Sequence, residues 1–488
     1  MLKNLKNAAK NSIIYGIGNI SGKLVGFILI PLYTREFSVS EYGILSLLEI
    51  TSALFINIFG FKIYQGFFRL YWDKDFLDKQ KALFFTAFST LSIFSFLFVV
   101  IGISQSLSLS KLLFNNIAYS DLVKLMIIVS ALQIINQMSS TLMRIQEKSV
   151  LYTITTLIRI TIILLLTVYL IVYKEMGIRG IYYAQITGQV IFFLILLKYI
   201  FLNTRFKFEF TIIREILLFG LPLIFSSLFT ILLSISDRYM LRILRDLEEV
   251  GIYSLGYKVA NTTKVFLVTS IQLAISPILY KIMNDPNNKR FYSKIMTYFS
   301  FIVMIFILFI AGFSKELIEI VAKNKQYWQA FKVVPIISIS IFFGMLMNTA
   351  STGILITKNT QSFSIIIIFS ALINILLNWL FIPSLNEIGA AIASLISQII
   401  SFLLVLGYAQ KYYFIPYELK NISSILLTGI LLLFIMYKLS DLDIILGIAI
   451  KLLLISLFPL LLYFLNFYEK IELKTLKSFV LKLVKLFK

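Results

Sequence analysis

About fourteen stretches of roughly twenty apolar residues divide this chain, and no gap between them is long enough for a folded domain. Such a run is stable where hydrocarbon, not water, is the solvent. There every backbone N–H and C=O must be satisfied within the segment, which requires an α-helix. The runs begin near Ser12, Gly43, Ala82, Ala118, Leu151, Ile178, Ile212, Ile252, Phe291, Lys332, Phe363, Glu387, Ile422 and Ile444. The expected fold is an all-α integral membrane protein with about fourteen transmembrane helices. Composition agrees: 14% of residues are charged, against about 25% in a soluble domain.

The 45 Lys and Arg outnumber the 24 Asp and Glu, for a net charge of +21. The basic excess sits in alternate connections, beginning with Met1-Leu-Lys-Asn-Leu-Lys, so it sets orientation rather than attracting nucleic acid. Both termini are expected on the cytoplasmic side of a bacterial inner membrane. The first run is expected to be retained, because no small-residue cleavage site follows it and Lys23 interrupts its apolar core. The chain has no Cys and no His. Disulfides, thiolate nucleophiles and Cys-ligated metals are therefore excluded, and the commonest general base is missing. No Gly-rich phosphate loop, paired-carboxylate motif or metal-ligand cluster is present, so neither an enzyme nor a cofactor is expected. At the C-terminus, Leu473, Leu476, Val480, Leu483 and Phe487 form an apolar stripe among lysines, as in a helix lying on an anionic leaflet.

The chain repeats itself. Glu41-Tyr-Gly-Ile-Leu-Ser-Leu matches Glu249-Val-Gly-Ile-Tyr-Ser-Leu at an offset of 208 residues. Gly180, Ala184 and Gln189 match Gly389, Ala393 and Gln398, and Ser140-Thr-Leu-Met-Arg-Ile pairs loosely with Ala350-Ser-Thr-Gly-Ile-Leu. Six spans per repeat is an even number, so both copies enter the membrane the same way. The expected organisation is a six-helix lobe at 1–208, a second at 209–415, and two appended helices with the basic tail at 416–488. Two lobes that rock against one another suit alternating access.

Charges inside the spans call for partners, since each costs roughly 2.5–3.5 kcal/mol at the bilayer centre. Lys23 lies on one polar face with Ser12, Gly16, Asn19 and Gly26; Arg159 shares a face with Tyr152 and Thr156; Lys264 shares one with Tyr257 and Asn261. One acid well inside a span, Glu49, does not neutralise three cations. Lys23, Arg159, Lys264, Lys258, Asn19 and Asn261 are thus candidates for a cationic cavity, with structural pairing as the alternative. Glu49 is a counter-ion, a proton site or a partner for Lys258. Lys62 and Lys124 lie near span ends, where snorkelling suffices. Lys451 either meets a lipid phosphate or snorkels. Gln133, Gln137, Ser140 and Arg144, and also Ser370, Asn374 and Asn378, line helix faces that suit interhelical hydrogen bonding as well as sugar contact.

Ser236-Asp-Arg-Tyr-Met-Leu followed by Glu249-Val-Gly-Ile-Tyr-Ser-Leu-Gly-Tyr-Lys resembles a junction of the polysaccharide transporter family, and Pro31-Leu-Tyr-Thr-Arg followed by Glu41-Tyr-Gly-Ile-Leu-Ser is similar to another. That family belongs to the multidrug, oligosaccharidyl-lipid and polysaccharide (MOP) exporter superfamily, which includes the Wzx-type O-antigen flippases. The resemblance implies two lobes around a cavity open to alternate sides. It also implies an undecaprenyl-pyrophosphate-linked oligosaccharide as cargo, for cell-surface polysaccharide biosynthesis. Asp237 and Arg238 then fall in a gating or structural position. Membrane lipids, and a polysaccharide polymerase or chain-length regulator, are the partners it suggests. A lipid II flippase, a cation-coupled multidrug exporter and, in a different class, a membrane polymerase or ligase are the alternatives.

Overall fold

The computed structural model describes residues 18, 21–22, 24–283, 285–357, 360–439, 443–470 and 473. Among them the regular elements are all helical, and eleven helices are long and apolar enough to cross a membrane. Asn19, Lys23 and the basic tail after residue 473 lie outside the described residues. The chain divides into two compact units. The first takes Met1–Leu255, Glu319–Ala330 and Ile367–Ser397, and the second Gly256–Ile318, Phe331–Ile366 and Gln398–Lys488.

Unit one is built on α1 (Ile30–Glu36), α2 (Val39–Phe59), α3 (Ile63–Leu70), α4 (Gln80–Ser104), α5 (Ser106–Phe114), α6 (Ser120–Ile145), α7 (Ser149–Val168), α8 (Gly177–Leu202), α9 (Phe210–Leu244) and the start of α10 (Leu247–Thr262). Ser38 opens α2 through a capping box: its hydroxyl accepts from the Glu41 N–H at 3.2 Å, and its own N–H donates to Glu41 Oε2 at 2.9 Å. Pro222 sits inside α9 without ending it. α2 instead ends at Gly60, where Phe61 and Lys62 take positive φ values of 45° and 52°. That turn buries Lys62 to 7% exposure, with its ammonium 5.9 Å from the Tyr64 ring. The expectation that Lys62 snorkels to the interface is therefore incorrect. Lys124 does lie at a helix end, paired with Asp121 at 3.0 Å.

Lipid-facing helices have no hydrophobic drive toward one another, so close packing and hydrogen bonds join them. Phe67, Phe84, Phe192 and Ile216 are fully buried in one core of unit one. Asn136 on α6 donates to the backbone and side-chain oxygens of Gln189 on α8 at 3.0 and 2.9 Å. Gln146 bridges the Tyr71 hydroxyl and Asn203 at 2.9 and 2.8 Å.

Unit two holds the rest of α10, a π-helical segment at Thr263–Val268, then α11 (Thr269–Lys281), α12 (Asn288–Gly312), α13 (Ser314–Val321) except its last three residues, α14 (Val333–Ala350), α15 (Thr352–Ile356), α17 (Leu419–Lys438) and α18 (Ile444–Phe464). Between α15 and α17, α16 (Thr360–Tyr412) runs 53 residues and contributes to both units. At 1.5 Å per residue it would be roughly 80 Å long, far beyond a hydrocarbon core of about 30 Å. It is two spans joined at Asn386, whose φ of 51° and ψ of −132° are not helical.

The two appended spans are bound to α12 by specific contacts. Phe301 stacks on Phe458 at 5.8 Å and on Phe467 at 5.7 Å. Lys294 bridges Glu418 and Glu469 at 2.6 and 2.7 Å. Lys451 is 1% exposed and pairs with Glu316 at 2.5 Å beside the Phe313 ring. It neither snorkels nor reaches a lipid phosphate. The acid in the first turn of α13 supplies the compensation that a lysine within a span requires.

Candidate functional site

The repeated sequence segments meet one another in unit one. A Cβ on Gly43 would collide with the Leu247 carbonyl oxygen, and one on Gly251 with the Val39 carbonyl oxygen. These contacts are reciprocal, since Gly43 and Gly251, and likewise Val39 and Leu247, stand 208 residues apart. The Ser46 hydroxyl donates to Ser254 Oγ at 2.7 Å, again between positions 208 apart. Equivalent residues touch one another only where a two-fold axis passes between them. The start of α2 and the start of α10 therefore form a self-complementary contact on the pseudo-two-fold axis of the repeat.

Each residue type shared by the two segments has its physical task here. The Glu is the third helical position behind a capping residue: Ser38 for Glu41, and Asp246, whose Oδ1 accepts from the Glu249 N–H at 2.9 Å. The Gly lets one backbone approach the other, and the Ser joins the two helices.

Behind this contact lies a buried polar cluster on Asp237, which is 1% exposed. Its carboxylate accepts from the Tyr253 hydroxyl at 2.6 Å, the Ser394 hydroxyl at 2.6 Å and the Asn378 amide at 2.9 Å. Asn374 accepts from Ser236 at 2.6 Å. Arg238 donates to Ser254 at 3.2 Å and so extends the Ser46–Ser254 bond. The stripe of Asn374 and Asn378 is thus an interhelical lattice around Asp237.

In the first turn of α10, ahead of the apolar run that begins near Ile252, Glu249 meets Glu387, which is 5% exposed and donates its N–H to Glu249 Oε2 at 3.3 Å. Burial, then the hydrogen bond and negative charge of Glu387, push Glu249 up to about 8, with Asp246 adding in the same direction. Between its ordinary value of 4.5 and about 8 the folded chain holds a proton that the unfolded chain has lost. Stability therefore declines as pH rises across that window. Thermal unfolding in detergent is expected to show this decline, and Glu249→Gln to remove this group's share of the slope.

The candidate cations fall in separate units and are described within them. Arg159, on α7 in unit one, packs its guanidinium 4.6 Å from the Phe192 ring. In unit two, Lys258, Asn261 and Lys264 succeed one another at three-residue spacing, with Lys264 exposed on the π-helical segment. Among the described residues no carboxylate lies within ion-pair distance of Arg159 or Lys264. Glu49 is exposed within unit one, in electrostatic reach of Tyr33 and Tyr182. No group of three or more metal-ligating side chains occurs among the described residues.

Sequence reasoning did not foresee the π-helical turn under Lys264, the Glu249–Glu387 pair or the Lys451–Glu316 pair. Only the shared Glu-x-Gly-Ile-x-Ser pattern pointed at the α2–α10 contact, and it did so as a repeat rather than as a contact.

The signature described as polysaccharide biosynthesis protein matches residues 8–283, more than half of the chain. The MatE signature matches residues 222–380. No curated protein matches. Among solved structures, the lipid II flippase MurJ in its inward closed conformation has a TM-score of 0.76 at 18% identity, covering 92% of this chain and 99% of that one. A multidrug resistance MATE family transporter of the MOP superfamily, in an inward-facing conformation, has a TM-score of 0.63 at 13% identity, covering 84% and 95%. A Vibrio cholerae MATE transporter has a TM-score of 0.60 at 14% identity, covering 83% and 96%.

Proposed function

The chain belongs to the polysaccharide biosynthesis protein family, and from that premise we propose that it flips an undecaprenyl-pyrophosphate-linked oligosaccharide across the bacterial inner membrane. The observation that carries this reading is the pair of intramembrane cations, Arg159 and Lys264, without a carboxylate partner among the described residues. An uncompensated cation is costly in a bilayer until an anion arrives. A pyrophosphate supplies that anion and leaves its prenyl tail in lipid. Lys23, Lys258, Asn19 and Asn261 complete the proposed set, while Glu49 tempers its charge. The two repeats act as lobes, at 1–208 and 209–415, that part alternately on the two sides of the membrane. Asp237 and Arg238 act as gate residues behind the α2–α10 contact. Both termini face the cytoplasm, so the cargo is taken from the cytoplasmic leaflet and handed to a polymerase or chain-length regulator outside. The protein performs no covalent chemistry on it.

The test follows a fluorescent undecaprenyl-pyrophosphate oligosaccharide between the leaflets of liposomes holding the purified chain. Wild type is expected to move it, and Arg159→Ala and Lys264→Ala to lose about tenfold or more of the rate, the loss of one charged hydrogen-bonding partner. Wild-type rates in both variants would remove the phosphate role from these residues. Movement of a cationic dye under a proton or sodium gradient, in place of the lipid, would identify a multidrug exporter. The likeness to the solved lipid II flippase favours a second reading, that lipid II is the cargo. Lipid II added as a competitor separates the two, since only a lipid II flippase would be fully blocked by it.

A further inference from the structure

We propose that a cavity within unit two is a subsite for one sugar of the cargo, a reading that rests on the lipid-linked oligosaccharide proposed above. The cavity measures about 290 Å³ and lies between α11, α12 and the joint of α14 with α15. Its hydrogen-bonding wall is Gln272, Asn348, Thr349, Ser351 and Thr352, and Phe299 adds an aromatic ring beside five aliphatic side chains. Among the described residues no charged side chain lines it.

This lining selects among the three chemical parts of such a cargo. The pyrophosphate meets no cation among the described lining residues. The prenyl tail would strip water from two amides and three hydroxyls without replacing a hydrogen bond. A sugar ring satisfies both kinds of wall: its hydroxyls donate and accept, and its C–H face lies flat on an aromatic ring. The wall is set up for donors as well. Thr349 Oγ1 donates to the Met345 carbonyl at 3.0 Å and Ser351 Oγ to the Asn348 carbonyl at 2.7 Å, so each hydroxyl oxygen offers lone pairs to an incoming O–H. The amide of Asn348 supplies donors in return.

Size and position fit the same ligand. At about 290 Å³ the cavity falls at the lower end of the roughly 300–1,000 Å³ found for ligand pockets, suited to one or two rings rather than a whole oligosaccharide. The lining comes from α11, which ends its span, the first half of α12, and the end of α14 with α15. With the termini inside, these are cytoplasmic ends, on the side where cargo is loaded. The lining is also particular to the second repeat. In the same alignment, Ser140 with Ala350, the Asn348–Thr352 segment pairs with Met138-Ser-Ser-Thr-Leu, which places Met138 and Leu142 where this repeat has Asn348 and Thr352.

Two probes test the subsite on the purified full chain: sugar-free undecaprenyl pyrophosphate, and the lipid-linked oligosaccharide extracted from cells in which the chain is native. Wild type is expected to bind the sugar-bearing lipid about tenfold tighter, the worth of one or two net hydrogen bonds. Thr352→Val, which removes a hydroxyl at nearly constant volume, is expected to erase most of that advantage while binding of the sugar-free lipid stays unchanged. Because the chain has no Cys, Asn348→Cys adds a unique thiol whose maleimide labelling should be slowed by the sugar-bearing lipid alone. An undiminished sugar advantage in Thr352→Val, or equal protection of the thiol by both lipids, overturns the subsite and leaves the flippase reading standing. Binding of neither lipid by wild type overturns the flippase reading, and the subsite with it.

Discussion

With Ser46 and Ser254 both replaced by Cys, oxidation is expected to halt transport, and a reductant to restore it. The two hydroxyl oxygens are 2.7 Å apart, which brings the two side chains to about the separation that a disulfide bridges. The wild-type chain has no Cys, so this pair is the only one that can form. A bond there fastens the start of α2 to the start of α10 at the pseudo-two-fold axis. In the proposed cycle that contact must part once per turnover. A covalent bond resists parting far more strongly than one hydroxyl–hydroxyl bond, worth on the order of 1 kcal/mol net. The transport assay in liposomes, run before and after reduction with either single variant as control, reads the effect. Full transport by quantitatively cross-linked protein would mean that the contact stays closed throughout the cycle, and the gate would have to be sought elsewhere.

The fold was legible in the sequence because lipid leaves so few choices. A run near Ala82 with no charge over some twenty residues becomes α4 whatever else surrounds it. The repeat was legible because its shared residues are those with backbone tasks: a capping Glu, a Gly at a close approach, a Ser at a joint. Partners were not legible where they come from distant segments of different polarity. Lys451 reads as a lone cation in an apolar helix, and nothing near it in sequence announces Glu316, 135 residues away. Lys62 looks like a span-end lysine until Phe61 and Lys62 turn to positive φ and bury it. Asn374 and Asn378 read equally well as sugar contacts or helix joints, because an amide serves either; only the position of Asp237 decides between them.

Asp237→Ala is expected to cost the fold more than any other single change considered. The carboxylate holds three buried donors, Tyr253, Asn378 and Ser394, from three different segments of the chain. Alanine breaks all three of these bonds, each at about 1–3 kcal/mol, less than additive because Asn378 keeps its bond to Asn374 and the cluster relaxes as one. A loss of at least 3 kcal/mol is expected, a large fraction of the marginal stability of a folded protein. Thermal unfolding in detergent measures it. Asp237→Asn separates stability from gating. Its single carbonyl still accepts from part of the cluster, while its amide turns a donor toward another, so it is expected to fold with a smaller loss. If Asp237 serves only to hold helices together, Asp237→Asn should transport in proportion to the folded protein recovered. If it also holds the α2–α10 contact shut through Arg238 and Ser254, transport should change further than stability does. A variant that folds, transports and unfolds as wild type would deny the cluster either role.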